Sequence, residues 1–186
     1  MHPSGLAGLG GLDVVDALGL TSDDVVLISG ATGGVGVFAV QLAGATGATV
    51  LGTARPDFAA SLQELGAAHI VDYTGDLATA VNSAASDGVT AVVHAAGDPA
   101  ELGQLLRPGG RLASLVGATV EQVGRDDVTV IPVLAVDTVE KVSDLLDKVA
   151  AGDLEVPIAQ TFPLENAAAA IAAFGSPKFG KLVVTS

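Results

Sequence analysis

Four glycines fall within seven residues, at Gly30, Gly33, Gly34 and Gly36. An apolar run, "VVLISG" at 25–30, stops at the first of them, and a helical pattern over 35–45 begins at the last. A strand, a tight turn and a helix start in that order build an anion site. The first N–H groups of the helix have no partner, and the helix dipole points the same way. In that reading Gly33 lets the backbone approach a pyrophosphate and Gly36 lets the helix pack close on the sheet. Against the dinucleotide pattern G-x-G-x-x-G, the segment Ala31-Thr32-Gly33-Gly34-Val35-Gly36 carries alanine in the place of the first glycine. No Lys-Ser/Thr follows at the required place, which excludes a P-loop. The competing reading is a glycine turn that serves packing alone.

The second site signal concerns the ribose. Where NAD is bound, an acidic side chain ~20 residues on, at the end of the second strand, holds the 2′-OH. Here that strand ends "GTARPDF", giving Thr53, Ala54 and Arg55 with no carboxylate at the tip. Arg55 could pair with a 2′-phosphate and Thr53 could donate a hydroxyl hydrogen bond, which favours NADPH over NAD. The alternative, with Arg55 a solvated loop residue and Asp57 at the ribose, stays open.

These residues need a scaffold, and the rest of the chain supplies one. Strand-length apolar runs recur at 25–30, 48–54, 69–73, 89–97, 111–117 and 128–136, continuous rather than alternating, as in strands covered on both faces. Helical patterns lie near 35–45, 57–65, 76–85, 98–106 and 138–150. Asp57 and Asp137 sit where N-caps belong, and Gly66 where a helix ends. The expectation is an α/β fold, a doubly wound parallel six-stranded sheet of Rossmann type with strand order 3-2-1-4-5-6. "GLGGLDVVDALGL" reads as an additional helix ahead of the first strand. "VPIAQTFPL", "ENAAAAIAAF" and "KLVVTS" read as a strand, a helix and a strand beyond what that sheet requires. The expected division is a nucleotide-binding unit over 1–153 and a short α/β C-terminal tail over 154–186.

Composition narrows the chemistry. With 21 acidic against 8 basic residues the formal charge is -13, which repels phosphate backbones and argues against nucleic-acid binding. The chain has no cysteine, so disulfides, thiol nucleophiles and cysteine-ligated zinc are excluded. The three histidines, His2, His69 and His94, share no motif spacing, and His94 in its apolar run reads as a satisfied core residue. No apolar run approaches the roughly 18 residues of a membrane span, and no basic signal start is present; no membrane partner and a cytoplasmic location are expected.

Taken in order, "GATGGVGVFAVQLAGATGATVLGTAR", "LQELGAAHIVDYT", "VVHAAG", "LLRPGGRLASLVG" and "FPLENAAAAIAAFGSPKFGKLVV" resemble the zinc-independent quinone oxidoreductases of the medium-chain dehydrogenase/reductase superfamily. The resemblance implies an oxidoreductase that passes hydride from NADPH to a quinone or activated alkene with no metal. It places Tyr73 near the adenosine 2′-phosphate. It places Ala95, Ala96 and Gly97, and Leu115, Val116 and Gly117, beside the nicotinamide half, with the turn after 128–136 also approaching it. The family's barrel-like catalytic domain is not in this sequence, so the expectation is the cofactor half plus a returning tail. It further implies a homodimer through strand 128–136, where Pro132 suits an edge position. A short-chain reductase fails on catalytic chemistry because Tyr-x-x-x-Lys is absent: four residues after Tyr73, the chain's one tyrosine, stands Leu77, which leaves open only a catalytically inactive relative. A non-catalytic NADPH-sensing or partner-dependent binding module remains as the alternative.

Overall fold

The computed structural model describes residues 5–136 and 138–185. The first six strands are β1 (Val25–Ser29), β2 (Thr49–Thr53), β3 (His69–Val71), β4 (Val89–His94), β5 (Leu106–Ser114) and β6 (Thr129–Pro132). They form one parallel sheet in the order β3-β2-β1-β4-β5-β6, which is the expected doubly wound arrangement. Helices α1 (Gly5–Leu18), α2 (Gly36–Ala45), α3 (Ala59–Glu64), α4 (Leu77–Ala84), α5 (Pro99–Gln104), α6 (Val120–Val123) and α7 (Val139–Ala151) accompany it. In the tail, β7 (Ile158–Pro163) and β8 (Lys181–Thr185) pair in parallel around α8 (Ala167–Phe174). Among the described residues no helix is long and apolar enough to cross a membrane.

The unbroken apolar strands have a direct cause. In β1, Val26 and Ile28 enter the core shared with Val14, Leu18, Phe38 and Val40, while Leu27 points to the opposite core with Leu51, Val92, Leu102 and Leu112. Both faces are dry, so successive side chains are all buried, each contributing about 1.5–3 kcal/mol. Glycines in α1, costly for a helix, let it lie against its neighbour. A Cβ on Gly11 would stand 2.7 Å from that of Phe38 in α2.

At the amino end of the sheet, buried Asp24 accepts from the Thr90 hydroxyl (2.6 Å), Thr21 N–H (2.9 Å) and Arg111 Nη2 (2.9 Å). Burial on its own would raise this carboxyl. The bonds from Thr90, Thr21 and Arg111 outweigh it and hold the pKa at about 2.

Several boundaries differ from expectation. Asp57 does not cap a helix: it lies in a 3-10 turn, Pro56–Phe58, which Pro56 favours at its first position, and α3 starts only at Ala59. Asp137 lies outside the described residues, and Thr138 caps α7 by accepting from Lys141 N–H at 3.3 Å. Strand β5 starts at Leu106 rather than 111, because Leu106 pairs with Val89 before 107–110 loop out and Arg111 resumes opposite Ala91. The apolar runs at 89–97, 111–117 and 128–136 stop pairing at His94, Ser114 and Pro132, where positive-φ Gly97 and Gly117 turn the first two chains.

Candidate nucleotide-binding site

Strand β1 delivers the glycine turn to the carboxyl edge of the sheet. Gly30 adopts φ 83°, and its carbonyl accepts from Gly33 N–H at 3.0 Å, closing the turn. Helix α2 then starts so close that a Cβ on Gly36 would fall 2.1 Å from Gly30 O and 2.6 Å from Ala31 Cα. No side chain caps α2. The N–H groups of Gly34, Val35 and Gly36 find no acceptor among the described residues, so three donors and the positive end of a ten-residue helix converge at one place.

Above the turn lies a cavity of about 670 Å³, within the range of small-ligand sites. Its floor is Gly30 and Thr32 to Gly36. One side holds Thr53, Tyr73 and Leu77. The other holds Ala95, Ala96, Gly97 and the start of α5, with Asp98, Glu101 and Leu102. The tail residues Phe174 to Lys178 form an outer wall.

The turn after β4 is fixed from below. Ser29 Oγ donates to Ala96 O at 2.7 Å, and His94 Nε2 lies 3.2 Å from Gly97 O. His94 Nδ1 lies 3.1 Å from Ser114 Oγ, which also accepts from Ala118 N–H at 2.9 Å. A carbonyl beside Nε2 can only accept, so that nitrogen carries the proton and Nδ1 accepts from Ser114, an assignment made from the partners. Every polar atom of the ring is thereby used. His94 is a buried brace joining the ends of β4 and β5, as its apolar setting suggested.

The structure brings ten of the expected residues into one cavity: Thr32, Gly33, Gly34, Val35, Gly36, Thr53, Tyr73, Ala95, Ala96 and Gly97. Ala31 and Ala54 are fully buried beneath it. Arg55, exposed at the end of β2, lies outside the lining, and so do half-buried Leu115 and exposed Val116 and Gly117 after β5. Thr53 has a different task from the one expected. Its hydroxyl accepts from Gly30 N–H at 3.0 Å and donates to Ile28 O at 3.3 Å, so it holds the glycine turn and has no proton left for a ribose. Close to Arg55 stands Asp72. The Thr74 hydroxyl and N–H hold its carboxyl below the usual range, with a further contribution from the Arg55 guanidinium.

Sequence reasoning missed Ser29, Ser114 and the tail wall. The two serines had a signal, a single polar residue ending an apolar strand. For the wall the only hint was the Gly-Ser-Pro loop before the last strand.

The family model for zinc-binding dehydrogenases matches residues 65–184. The chain belongs to this family. Of the solved structures, the quinone oxidoreductase from Coxiella burnetii is 29% identical with a TM-score of 0.85, over 97% of this chain and 58% of that one. An NAD-dependent alcohol dehydrogenase is 28% identical with a TM-score of 0.85, over 97% and 57%. Of the curated proteins, the spectinabilin polyketide synthase system protein NorB from Streptomyces orinoci is 36% identical over 117 residues, which is 60% of this chain and 5% of that protein. This dehydrogenase-family chain therefore spans somewhat more than half of the two solved oxidoreductases, and its likeness to quinone oxidoreductases of the medium-chain superfamily is borne out. Among the described residues no three or more His, Asp or Glu gather as ligands, and the chain has no cysteine.

Proposed function

We propose that this chain binds NADPH across the cavity and forms the cofactor half of an oxidoreductase whose acceptor is a quinone or an activated alkene. The observation that carries the reading is the set of unpaired N–H groups of Gly34, Val35 and Gly36 opening onto a cavity of about 670 Å³. These donors hold the pyrophosphate, and Gly33, without a side chain, lets it come close. Thr53 and Ser29 act one step back, fixing the Gly30 and Ala96 backbone that shapes the floor and side of the cavity. Arg55 and Tyr73 serve the ribose 2′-phosphate. Ala95 to Gly97 and Leu115 to Gly117 flank the nicotinamide, the latter completing a cleft shared with a further domain. Bound there, NADPH supplies a hydride equivalent, and the protein contributes its orientation. In this reading residues 1–153 are the nucleotide-binding unit and 154–186 the returning tail.

A second reading, a nucleotide-sensing module without catalysis, is favoured by one observation: the cavity encloses the glycine turn but not the β5 end. Calorimetric titration with NADPH and NADH tests the first step of both. NADPH should bind tightly and NADH feebly, and Arg55→Asp should weaken NADPH alone by about tenfold or more, the worth of one charge-assisted bond. No binding of either nucleotide would refute the assignment. Hydride transfer to quinones and enones, with a barrel domain supplied, separates the enzyme from the sensor.

A further inference from the structure

Four strands of the sheet end on a buried polar residue: Thr53 on β2, Ser29 on β1, His94 on β4 and Ser114 on β5. They stand side by side along the carboxyl edge. Ser29 is in register with His94 and His94 with Ser114, and Thr53 follows the Ile28–Gly52 pair. A buried polar group is costly unless it is bonded, and each member of this row is bonded to a turn.

Thr53 holds Gly30, Ser29 holds Ala96, and the His94 Nε2–H holds Gly97, all backbone of turns that line the cavity. Ser114 serves the turn after β5, outside that lining. Its oxygen accepts from Ala118 N–H at 2.9 Å and from Val116 N–H at 3.3 Å, and neither group has another acceptor among the described residues. The sheet ladder ends just before, with Leu115 N–H on His94 O at 3.0 Å. Beyond that point the Ser114 hydroxyl is what holds the turn. Among the described residues, one contact in the row joins two side chains, His94 Nδ1 and Ser114 Oγ at 3.1 Å.

This joint has no slack. With two N–H groups on its oxygen, the Ser114 hydroxyl spends its one proton on Nδ1, and Gly97 O holds the opposite nitrogen. The ring cannot turn without losing both bonds, so one imidazole sets the turn at 95–97 and, through Ser114, the turn at 115–118. Resting on the nucleotide reading above, we infer that His94 is a positioning residue for the nicotinamide end of NADPH. Through Ser114 it fixes the turn after β5 relative to the glycine-turn side of the site, and it leaves the adenosine end to the other members of the row. Both side chains are buried outside the cavity lining, so they touch no ligand atom. What they supply is a turn already in place, which removes an ordering cost from binding.

Adenosine 2′,5′-bisphosphate carries the adenosine end of NADPH without the nicotinamide, so comparing the two ligands isolates the nicotinamide end. The full chain is titrated calorimetrically with each, and the emission of the reduced nicotinamide is followed in parallel. Wild type should bind NADPH more tightly than the bisphosphate and shift that emission. Ser114→Ala and His94→Gln both break the joint. Each should lose roughly fivefold or more for NADPH, the worth of one hydrogen bond, together with the emission shift, and keep the bisphosphate within about twofold. Unchanged bisphosphate binding also shows that the variant is folded at the site, and Ser114→Ala, which removes a single oxygen, carries the test where His94→Gln unfolds. His94→Asn places an amide oxygen where Nδ1 stood, with Ser29 still holding Ala96, so it should recover most of both readouts. Either joint-breaking variant keeping NADPH affinity within about twofold would overturn the inference and leave the nucleotide site standing. An equal loss for both ligands would overturn it too, making the row a brace of the whole site, as would a wild type that binds the two ligands equally. No recovery in His94→Asn would place the effect in ring packing and overturn the bond's role. A wild type that binds neither ligand refutes the nucleotide reading itself.

Discussion

The glycine turn makes two demands that a single added methyl group can separate. On Gly36 the new Cβ would lie 2.1 Å from Gly30 O, 2.6 Å from Ala31 Cα and 2.7 Å from Ala31 C. All three are backbone atoms, so no side chain can swing away. Overpacking of this kind costs about 1–3 kcal/mol or more, and a backbone clash belongs at or above the upper end. For a chain of this size Gly36→Ala should lower the thermal midpoint by roughly 6–12 °C. On Gly33 the same methyl meets only Gly30 O, at 3.2 Å, and its remaining surroundings within 4 Å are open. Gly33 has no positive φ, so alanine fits its backbone. The restriction of the unfolded chain, worth about 0.4–1 kcal/mol, offsets that one tight contact. Gly33→Ala should therefore fold with its midpoint nearly unchanged.

Binding should show the reverse emphasis. The open space above Gly33 is where the pyrophosphate approaches, and a methyl there holds it off the N–H groups of Gly34 to Gly36. Losing one charge-assisted bond costs about 1.5–3 kcal/mol, which weakens NADPH roughly 10- to 100-fold. Thermal unfolding followed by circular dichroism, with calorimetric titration of the same samples, reads both quantities. A folded Gly33→Ala variant that keeps wild-type affinity within about twofold would refute the reasoning, for the turn would then serve packing alone.

The sheet order was legible because β1 buries Val26, Leu27 and Ile28 completely on two faces, and a doubly covered strand has no polar side to blur its pattern. The glycine turn was legible because its geometry excludes other residue types. Other features depend on distant partners. Thr53 read as a ribose donor, but its hydroxyl is taken by Gly30 N–H and Ile28 O, which the neighbouring β1 and its turn bring beside it. Arg55 read as a 2′-phosphate partner or a solvated loop residue, and nothing near it in sequence announced Asp72, which follows β3 and acts on it across the strands. The tail wall carried no local signal, since what pins its loop are Thr32 O and the Phe58 ring, both far away along the chain. Strand β5 began early because Leu106 stands opposite Val89, whose N–H donates to Leu105 O at 2.9 Å, a pairing that the Arg-Pro-Gly-Gly stretch at 107–110 conceals.

Two further outcomes follow from the geometry. If β6, at the sheet edge, joins two copies, sedimentation should show a dimer that Leu134→Asp dissociates into folded single chains, because Leu134 is 85% exposed in the single chain. A wild type that stays monomeric at every concentration would refute this. Asp24 gives the sharpest dependence on pH. Its folded pKa, about 2, lies below the ordinary 3.8, so its stabilisation is complete above about pH 4 and is lost as pH falls through the folded value. The difference is worth about 2 kcal/mol. Asp24→Asn keeps the shape but cannot ionise and leaves Arg111 without its counter-charge, so the variant should be less stable by about that amount near pH 7. Other carboxylates titrate alike in both proteins and cancel in the comparison. Urea unfolding of the pair from about pH 7 down to about pH 2 should therefore show the stability gap closing in the acid limb. A gap that stays constant over that range would mean that the Thr90, Thr21 and Arg111 bonds do not favour the ionised carboxylate over the acid.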